Sequence, residues 1–243
     1  MSKRKKLFVH GGSSLLSKYL IKEFYIDFDE IHIFCRNIKK TRLILEIDQS
    51  NIKKFFFYEN NLENIDQTIS DINKLPDDLS GILWTTGYAG DPQIEFENLD
   101  KIKHIINVNF FNVVISVTKL TKKIVKNKSS FICVVTSVAG LRGRKKRLFY
   151  STGKGGLIIF LSGLRQKMHN QAKIITVIPG YLSTNNQNKN APKFLTTTPK
   201  KASQIIVEAI KKNKDIVYVS QLWRLIMFII LIIPEKIYKK LNL

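Results

Sequence analysis

The sequence predicts an α/β protein built on a single doubly wound parallel sheet with helices on both faces. Three observations predict it. Short apolar runs, seven in all, alternate with longer stretches of helical period. A glycine pair follows the first run directly, where such folds turn from strand to helix. The 243 residues are 44% hydrophobic, enough to bury both faces of a sheet and too apolar for global disorder.

KLFV (6–9) reads as the first strand, followed by HGGSS and a helical stretch near 15–24. EIHIF (30–34) is the second strand, KKFFFY (53–58) the third and GILWTT (81–86) the fourth. One long helical pattern covers 98–126 and leads into SFICVVTS (130–137), the fifth strand. Residues 150–168 read as helix, AKIITVI (172–178) as the sixth strand, and PKKASQIIVEAIKK (199–212) as a helix with a proline start. DIVYV (215–219) is the seventh strand. Right-handed crossovers turn this order into a Rossmann-type sheet. With no internal repeat and no low-complexity linker, residues 1–220 form one domain, and 221–243 extend it as an apolar and basic tail.

Lys and Arg number 40 against 19 Asp and Glu, a formal charge of +21. That charge favours anionic partners: phosphorylated cofactors, acidic lipid headgroups or nucleic acid. Abundant Lys, Ile and Asn also fit plain compositional drift, so charge alone does not choose. The two cysteines, Cys35 and Cys133, lie in the strand runs IHIFC and FICVV. With no disulfide framework and no metal-type spacing, the expected setting is a reducing cytoplasm, without a metal centre. The basic start MSKRKK precedes only three apolar residues, LFV, too few for a secretory signal.

Residues 147–156, RLFYSTGKGG, admit two readings. A phosphate loop needs G-x-x-x-x-G-K-[ST], but Leu148 stands where the first glycine belongs and Gly155 where the hydroxyl belongs. The alternative is the pair Tyr150 and Lys154, four apart and on one helical face. Gly153, Gly155 and Gly156 then read as close-packing positions against a cofactor or a partner subunit.

In doubly wound folds the first strand–helix turn holds a dinucleotide pyrophosphate. Here Gly11 and Gly12 allow a tight turn, and Ser13 and Ser14 offer hydroxyls; a plain turn with an N-cap serine fits equally well. At the end of the second strand an acid would bind the ribose hydroxyl of NAD, and an arginine the extra phosphate of NADP. IHIFCRN carries no acid there, only Arg36, so NADP(H) is expected over NAD(H), unless Arg36 is an ordinary solvated side chain. Ser137 closes the fifth strand at the carboxyl edge, and Asn109 lies on the long helix before it.

The ordered set formed by the glycine turn at 11–17, Asn109, Ser137, Tyr150, Lys154 and PGYLST (179–184) resembles the short-chain dehydrogenase/reductase family, over essentially the whole chain. Three departures stand out: Leu15 and Ser17 replace the second and third turn glycines, LWTTG (83–87) replaces an Asn-Asn-Ala-Gly segment, and Asn61 replaces an aspartate that often contacts adenine. The resemblance implies that Tyr150 exchanges a proton with the substrate oxygen and that Ser137 hydrogen-bonds the same oxygen. It implies that Lys154 binds ribose hydroxyls and lowers the pKa of Tyr150, and that Asn109 supports a proton relay through water. It implies cofactor contacts from Gly11, Ser13, Ser14, Leu16, Arg36, Asn61, Leu62, Gly87, Tyr150, Lys154, Pro179, Gly180 and Thr184.

The tail DIVYVSQLWRLIMFIILIIPEKIYKKLNL holds nine consecutive apolar residues, 225–233, too few to span a bilayer. Trp223, Arg224, Lys236, Tyr238, Lys239 and Lys240 flank them, which suits peripheral contact of 222–240 with the inner face of a membrane, or burial in a homo-oligomer. With GGSS, TTGYAGD and YSTGKGGLIIFLSGLR, this tail resembles the decaprenylphosphoryl-2-keto-erythro-pentose reductases of the family. That subgroup also lacks the second turn glycine, and it acts on a lipid-linked ketosugar for cell-envelope polysaccharide. The expected substrate is therefore a carbonyl, small or lipid-linked. The alternatives are a soluble ketone or 3-ketoacyl reductase and, less favoured, a non-catalytic basic scaffold or nucleic-acid binder that retains the fold. A nucleic-acid partner is not expected, because a complete Asn–Ser–Tyr–Lys set is hard to explain without catalysis.

Overall fold

A computed structural model describes residues 4–48, 51–90, 98–184 and 191–241. The first half runs β1 (Lys6–His10), α1 (Leu15–Phe24), β2 (Glu30–Cys35), α2 (Ile38–Leu45), β3 (Phe55–Glu59), α3 (Ile65–Asn73) and β4 (Gly81–Trp84). The second runs α4 (Leu99–Ile106), α5 (Asn112–Leu120), β5 (Phe131–Val135), α6 (Leu148–Lys167), β6 (Lys173–Ile178), the two-residue strands β7 (Tyr181–Leu182) and β8 (Thr196–Thr197), α7 (Pro199–Lys211), β9 (Ile216–Tyr218), α8 (Gln221–Ile232) and α9 (Glu235–Tyr238).

All seven apolar runs are strands of one parallel sheet in the order β3-β2-β1-β4-β5-β6-β9. Strands covered on both faces read as continuous apolar runs, which is why this pattern was visible. Alternate residues serve opposite faces. Leu7 and Val9 of β1 join Leu20 of α1 and Ile206 of α7 in one core. Phe8 joins Val113 and Val117 of α5 and Leu157 and Leu161 of α6 in the other. The order reverses between β1 and β4, and the crevice at that reversal is where such sheets bind ligands.

Three expectations need correction. The strands expected over 81–86 and 130–137 end at Trp84 and Val135, so Thr85, Thr86 and Ser137 stand beyond them, at the carboxyl edge. The helix expected over 98–126 is broken: α4 passes through a π-helical turn, Asn107–Phe111, into α5, and helix ends at Leu120. The Asn112 N–H bonds the Asn107 carbonyl, five residues back, which bulges the turn around Asn109. Finally, α2 and α3 are additional short helices, each begun by an asparagine cap: Asn37 accepts from the Lys40 N–H at 2.8 Å and Asn64 from the Gln67 N–H at 3.0 Å.

TGKGG lies inside α6. A Cβ on Gly155 would sit 2.9 Å from the Gly140 carbonyl oxygen, and one on Gly153 would sit 3.1 Å from Asn109 Cβ. A Cβ on Gly156 would press on the Phe110 ring at 2.9 Å. These are close-packing positions, as expected, but their neighbours are the chain's own Gly140 turn and π turn. Cys35 and Cys133 are buried free thiols, both pushed up by burial.

Candidate active site

At the switch point the chain turns out of β1 through Gly11, whose φ of +91° lies in the region that side chains avoid. A Cβ there would stand 2.6 Å from Thr86 Oγ1 and 2.7 Å from Thr85 Oγ1. Ser14 caps α1, its Oγ accepting from the Ser17 N–H at 3.0 Å. Ser17 stands where a glycine was expected and is fully buried. Its hydroxyl donates to the Gly11 carbonyl at 2.9 Å and lies 2.7 Å from Thr85 Oγ1. The two departures, Ser17 and the threonines of LWTTG, thus satisfy one another.

Beside this turn lies a groove of about 450 Å³. Of the expected cofactor residues, Gly11, Ser13, Ser14, Arg36, Asn61, Leu62 and Gly87 line it. Leu16 is not among the lining residues; its side chain is buried in the core beneath α1. Pro179, Gly180 and Thr184 do not line it either. They follow β6, where the Pro179 carbonyl accepts from the Val138 N–H at 3.0 Å, next to Ser137.

None of the catalytic candidates lines the groove itself; Lys154 and Asn109 meet beside Gly87, which does. Lys154, 2% exposed, sends its ammonium through the core to donate to the Val135 carbonyl at 3.2 Å. A Cβ on Gly87 would meet Lys154 Nζ at 3.0 Å and Asn109 Oδ1 at 3.3 Å, so the three groups share one small space. Asn109 holds the loop after β4 in both directions: Oδ1 accepts from the Tyr88 N–H at 3.1 Å, and Nδ2 donates to the Tyr88 carbonyl at 2.6 Å. A further bond runs from Nδ2 to the Ile105 carbonyl at 2.8 Å.

Tyr150 stands on the first turn of α6, and its ring centroid is 6.0 Å from Lys154 Nζ. Burial pushes the phenol above its ordinary value; a hydrogen bond with Ser137 and the Arg147 guanidinium oppose that rise. The net direction in this structure is upward, where a lowering by Lys154 was expected, and Arg147 is the cation that opposes the rise. Lys154 itself is pushed down to about 8 by burial.

Sequence reading missed three further groups. His10 ends β1, stacks on Trp84 at 3.9 Å and places Nδ1 2.6 Å from Thr86 Oγ1. Burial pushes it down to about 3, so it is neutral near pH 7. Thr85 and Thr86 line the groove within LWTTG, and their signal was that segment's departure from pattern. Arg147 donates to the carbonyls of Ala89 at 2.9 Å and Gly90 at 2.6 Å, latching the loop after β4 to the start of α6. Arg147→Met should shift the phenol's titration, read as the acid limb of alcohol oxidation in a pH–rate profile, to higher pH, with a several-fold loss of turnover near neutrality. An unmoved limb would leave Arg147 only the latch.

Among the described residues no cluster of His, Cys, Asp and Glu could hold a metal ion, and no helix is long and apolar enough to cross a membrane. A family model described as short chain dehydrogenase matches residues 5–194. The ketoacyl reductase HetN of Nostoc sp. is 31% identical over 130 residues, covering 51% of this chain and 45% of that protein. A 3-oxoacyl-[acyl-carrier-protein] reductase of Synechocystis sp. is 25% identical over 141 residues, 57% of each. The chain thus spans about half the length of these curated relatives. ElxO with NADP bound superposes with a TM-score of 0.77 at 17% identity, over 91% of this chain and 99% of that one. A 3-oxoacyl-[acyl-carrier protein] reductase from Brucella melitensis in complex with NAD gives 0.73 at 16% identity, over 93% and 99%. At these identities the superpositions establish the fold.

Proposed function

The chain belongs to the short-chain dehydrogenase family, and from that premise we propose that it is an NADP(H)-dependent oxidoreductase acting on a carbonyl or its alcohol. The observation that carries this reading is the meeting of Lys154, Asn109 and Gly87 in one space, with Tyr150 on the same helix and Ser137 against its phenol. The groove fits a dinucleotide. Its glycine turn leaves no room for a Cβ, helix α1 points its N-terminus at the opening, and Arg36 stands exposed just after β2, where the segment IHIFCRN itself carries no acid.

The nicotinamide cofactor supplies hydride chemistry when bound. The chain's own residues do the rest. Ser137 orients the substrate oxygen by a hydrogen bond, and Tyr150 gives that oxygen its proton. A phenol raised by burial stays protonated near neutrality, the form that carbonyl reduction consumes. Lys154 supplies a cation and a donor toward a ribose. Asn109, with its amide already engaged by Tyr88 and Ile105, holds the loop carrying Gly87, and a relay through water is proposed for it in addition.

For the substrate, the tail and the motifs named above favour a lipid-linked ketosugar, presented at the inner face of a membrane. The ketoacyl reductases among the relatives favour a 3-ketoacyl thioester as the second reading. NADPH consumption against lipid-linked ketosugars, nucleotide-linked ketosugars and 3-ketoacyl thioesters separates them; no consumption with any carbonyl would defeat the reductase reading. Arg36→Ala should raise the KM for NADPH by roughly tenfold or more and leave that for NADH within about twofold, since only the former loses a guanidinium–phosphate pair. Parallel changes with both cofactors would remove Arg36 from this role.

A further inference from the structure

Helix α8 is apolar on both sides, and only one side is covered. Trp223, Met227 and Ile230, at helical spacing, are buried against Val138 and Ile178. The opposite side carries Leu225 (56% exposed), Phe228 (64%), Ile229 (51%) and Ile232 (65%). Lone exposed apolar residues are ordinary, but four on one face of a helix make a surface that needs a partner.

The same helix is fastened to the active-site loop. Trp223 packs so closely on Gly180 that a Cβ there would lie 2.0 Å from its indole nitrogen. The indole donates to the Leu195 carbonyl at 2.8 Å. Arg142, five residues beyond Ser137, donates to the Ile230 and Ile233 carbonyls at the end of α8, the latter at 2.8 Å, and to Glu235 at 3.0 Å. It also stacks 3.7 Å over the Tyr238 ring, whose hydroxyl donates to the Gly143 carbonyl at 2.6 Å. Arg144 lies over the Trp223 ring. The loop between Ser137 and Tyr150 thus runs along one flank of α8.

Basic side chains border this apolar face. Lys145 and Lys146 stand exposed on the active-site loop, Lys236 stands exposed on α9, and Lys239 and Lys240 stand exposed just beyond it. We propose that the outer face of α8 docks on an anionic bilayer, with these lysines as its collar, so that the active-site loop rests at headgroup level. Twelve residues of helix reach about 18 Å, against roughly 30 Å of hydrocarbon, so α8 lies along the interface rather than across it. A second copy is the weaker occupant: a two-fold pairing through this face would set the same lysine collars against each other.

Docking is read by sedimentation with vesicles, without any turnover, so its failure is distinguishable from failure of the reductase reading. Phosphatidylglycerol-containing vesicles should retain the protein, pure phosphatidylcholine vesicles should not, and added salt should weaken retention. Phe228→Glu with Ile232→Glu, both on the solvent side of α8, should cut partitioning at least tenfold while NADPH binding stays unchanged. Lys236→Glu with Lys239→Glu and Lys240→Glu should do the same through charge. Equal retention by the two vesicle types would overturn the proposal. So would an unaffected Phe228→Glu, Ile232→Glu variant, or a soluble dimer of the parent chain that this variant converts to monomer.

Discussion

Tyr150→Phe should lower turnover by roughly 10²-fold or more while leaving NADPH affinity within about threefold. The substitution keeps the ring and its packing on the first turn of α6 and removes one oxygen. That oxygen is the proposed proton donor and hydrogen-bonds with Ser137, whose hydroxyl also accepts from the Ala139 N–H at 3.2 Å. Without the phenol, the oxyanion formed as hydride arrives must take its proton from water in a space bounded by Asn109, Gly87 and Lys154. Steady-state kinetics with a responsive carbonyl, paired with NADPH fluorescence titration, check this. Near-normal turnover would remove Tyr150 from the chemistry. A collapse of NADPH binding would instead mean that the hydroxyl serves the cofactor.

How much of this site could be read in the sequence depended on the range of the interaction. The seven strands were legible because burial on both faces forces continuous apolar runs; their ends were less so, since Thr85, Thr86 and Ser137 are compatible with strand, and Lys53 and Lys54, read as the start of the third strand, lie in a 3-10 turn before Phe55. Tyr150 and Lys154 were legible because four residues is one helical turn. The π turn was not: the pattern over 98–126 carries apolar residues at helical spacing through Asn109, and a single extra residue per turn leaves no mark in composition. Nor could spacing show that Ser17, in the place of a glycine, is held by Thr85, 68 residues away. Arg147 is one of five basic residues between 142 and 147. Only the fold shows that it, rather than its neighbours, reaches the Ala89 and Gly90 carbonyls and opposes the rise of the phenol. The missed helices α2 and α3 are short, and their asparagine caps resemble any polar loop until the strand that follows is placed.

Lys154→Met should separate stability from activity. Burial holds the ammonium down to about 8, from an ordinary 10.5, with one bond, to the Val135 carbonyl, in partial compensation. A lysine whose folded value lies below its unfolded value makes the unfolded chain bind more protons between those two values, so stability rises with pH across roughly 8 to 10.5 and the charge is a full burden below 8. Each tenfold step of acidity corresponds to about 1.4 kcal/mol, which sets the burden on the order of 3 kcal/mol. Methionine fills similar volume without charge but strands the Val135 carbonyl, so the net gain near pH 7 should be about 1–2 kcal/mol. Urea denaturation should show this gain at pH 7 and its reversal above pH 10.5, where the lysine is neutral and only the stranded carbonyl's cost of about 1–2 kcal/mol remains. The same variant should lose turnover by roughly 10²-fold or more, and NADPH affinity with it, because the cation that stands beside Gly87 and Asn109 is gone. A variant both less stable at pH 7 and fully active would refute the assignment at each end. The opposite pair of results would show that the chain retains a buried cation at the expense of its own stability, which is expected where strain or burial serves a reacting group.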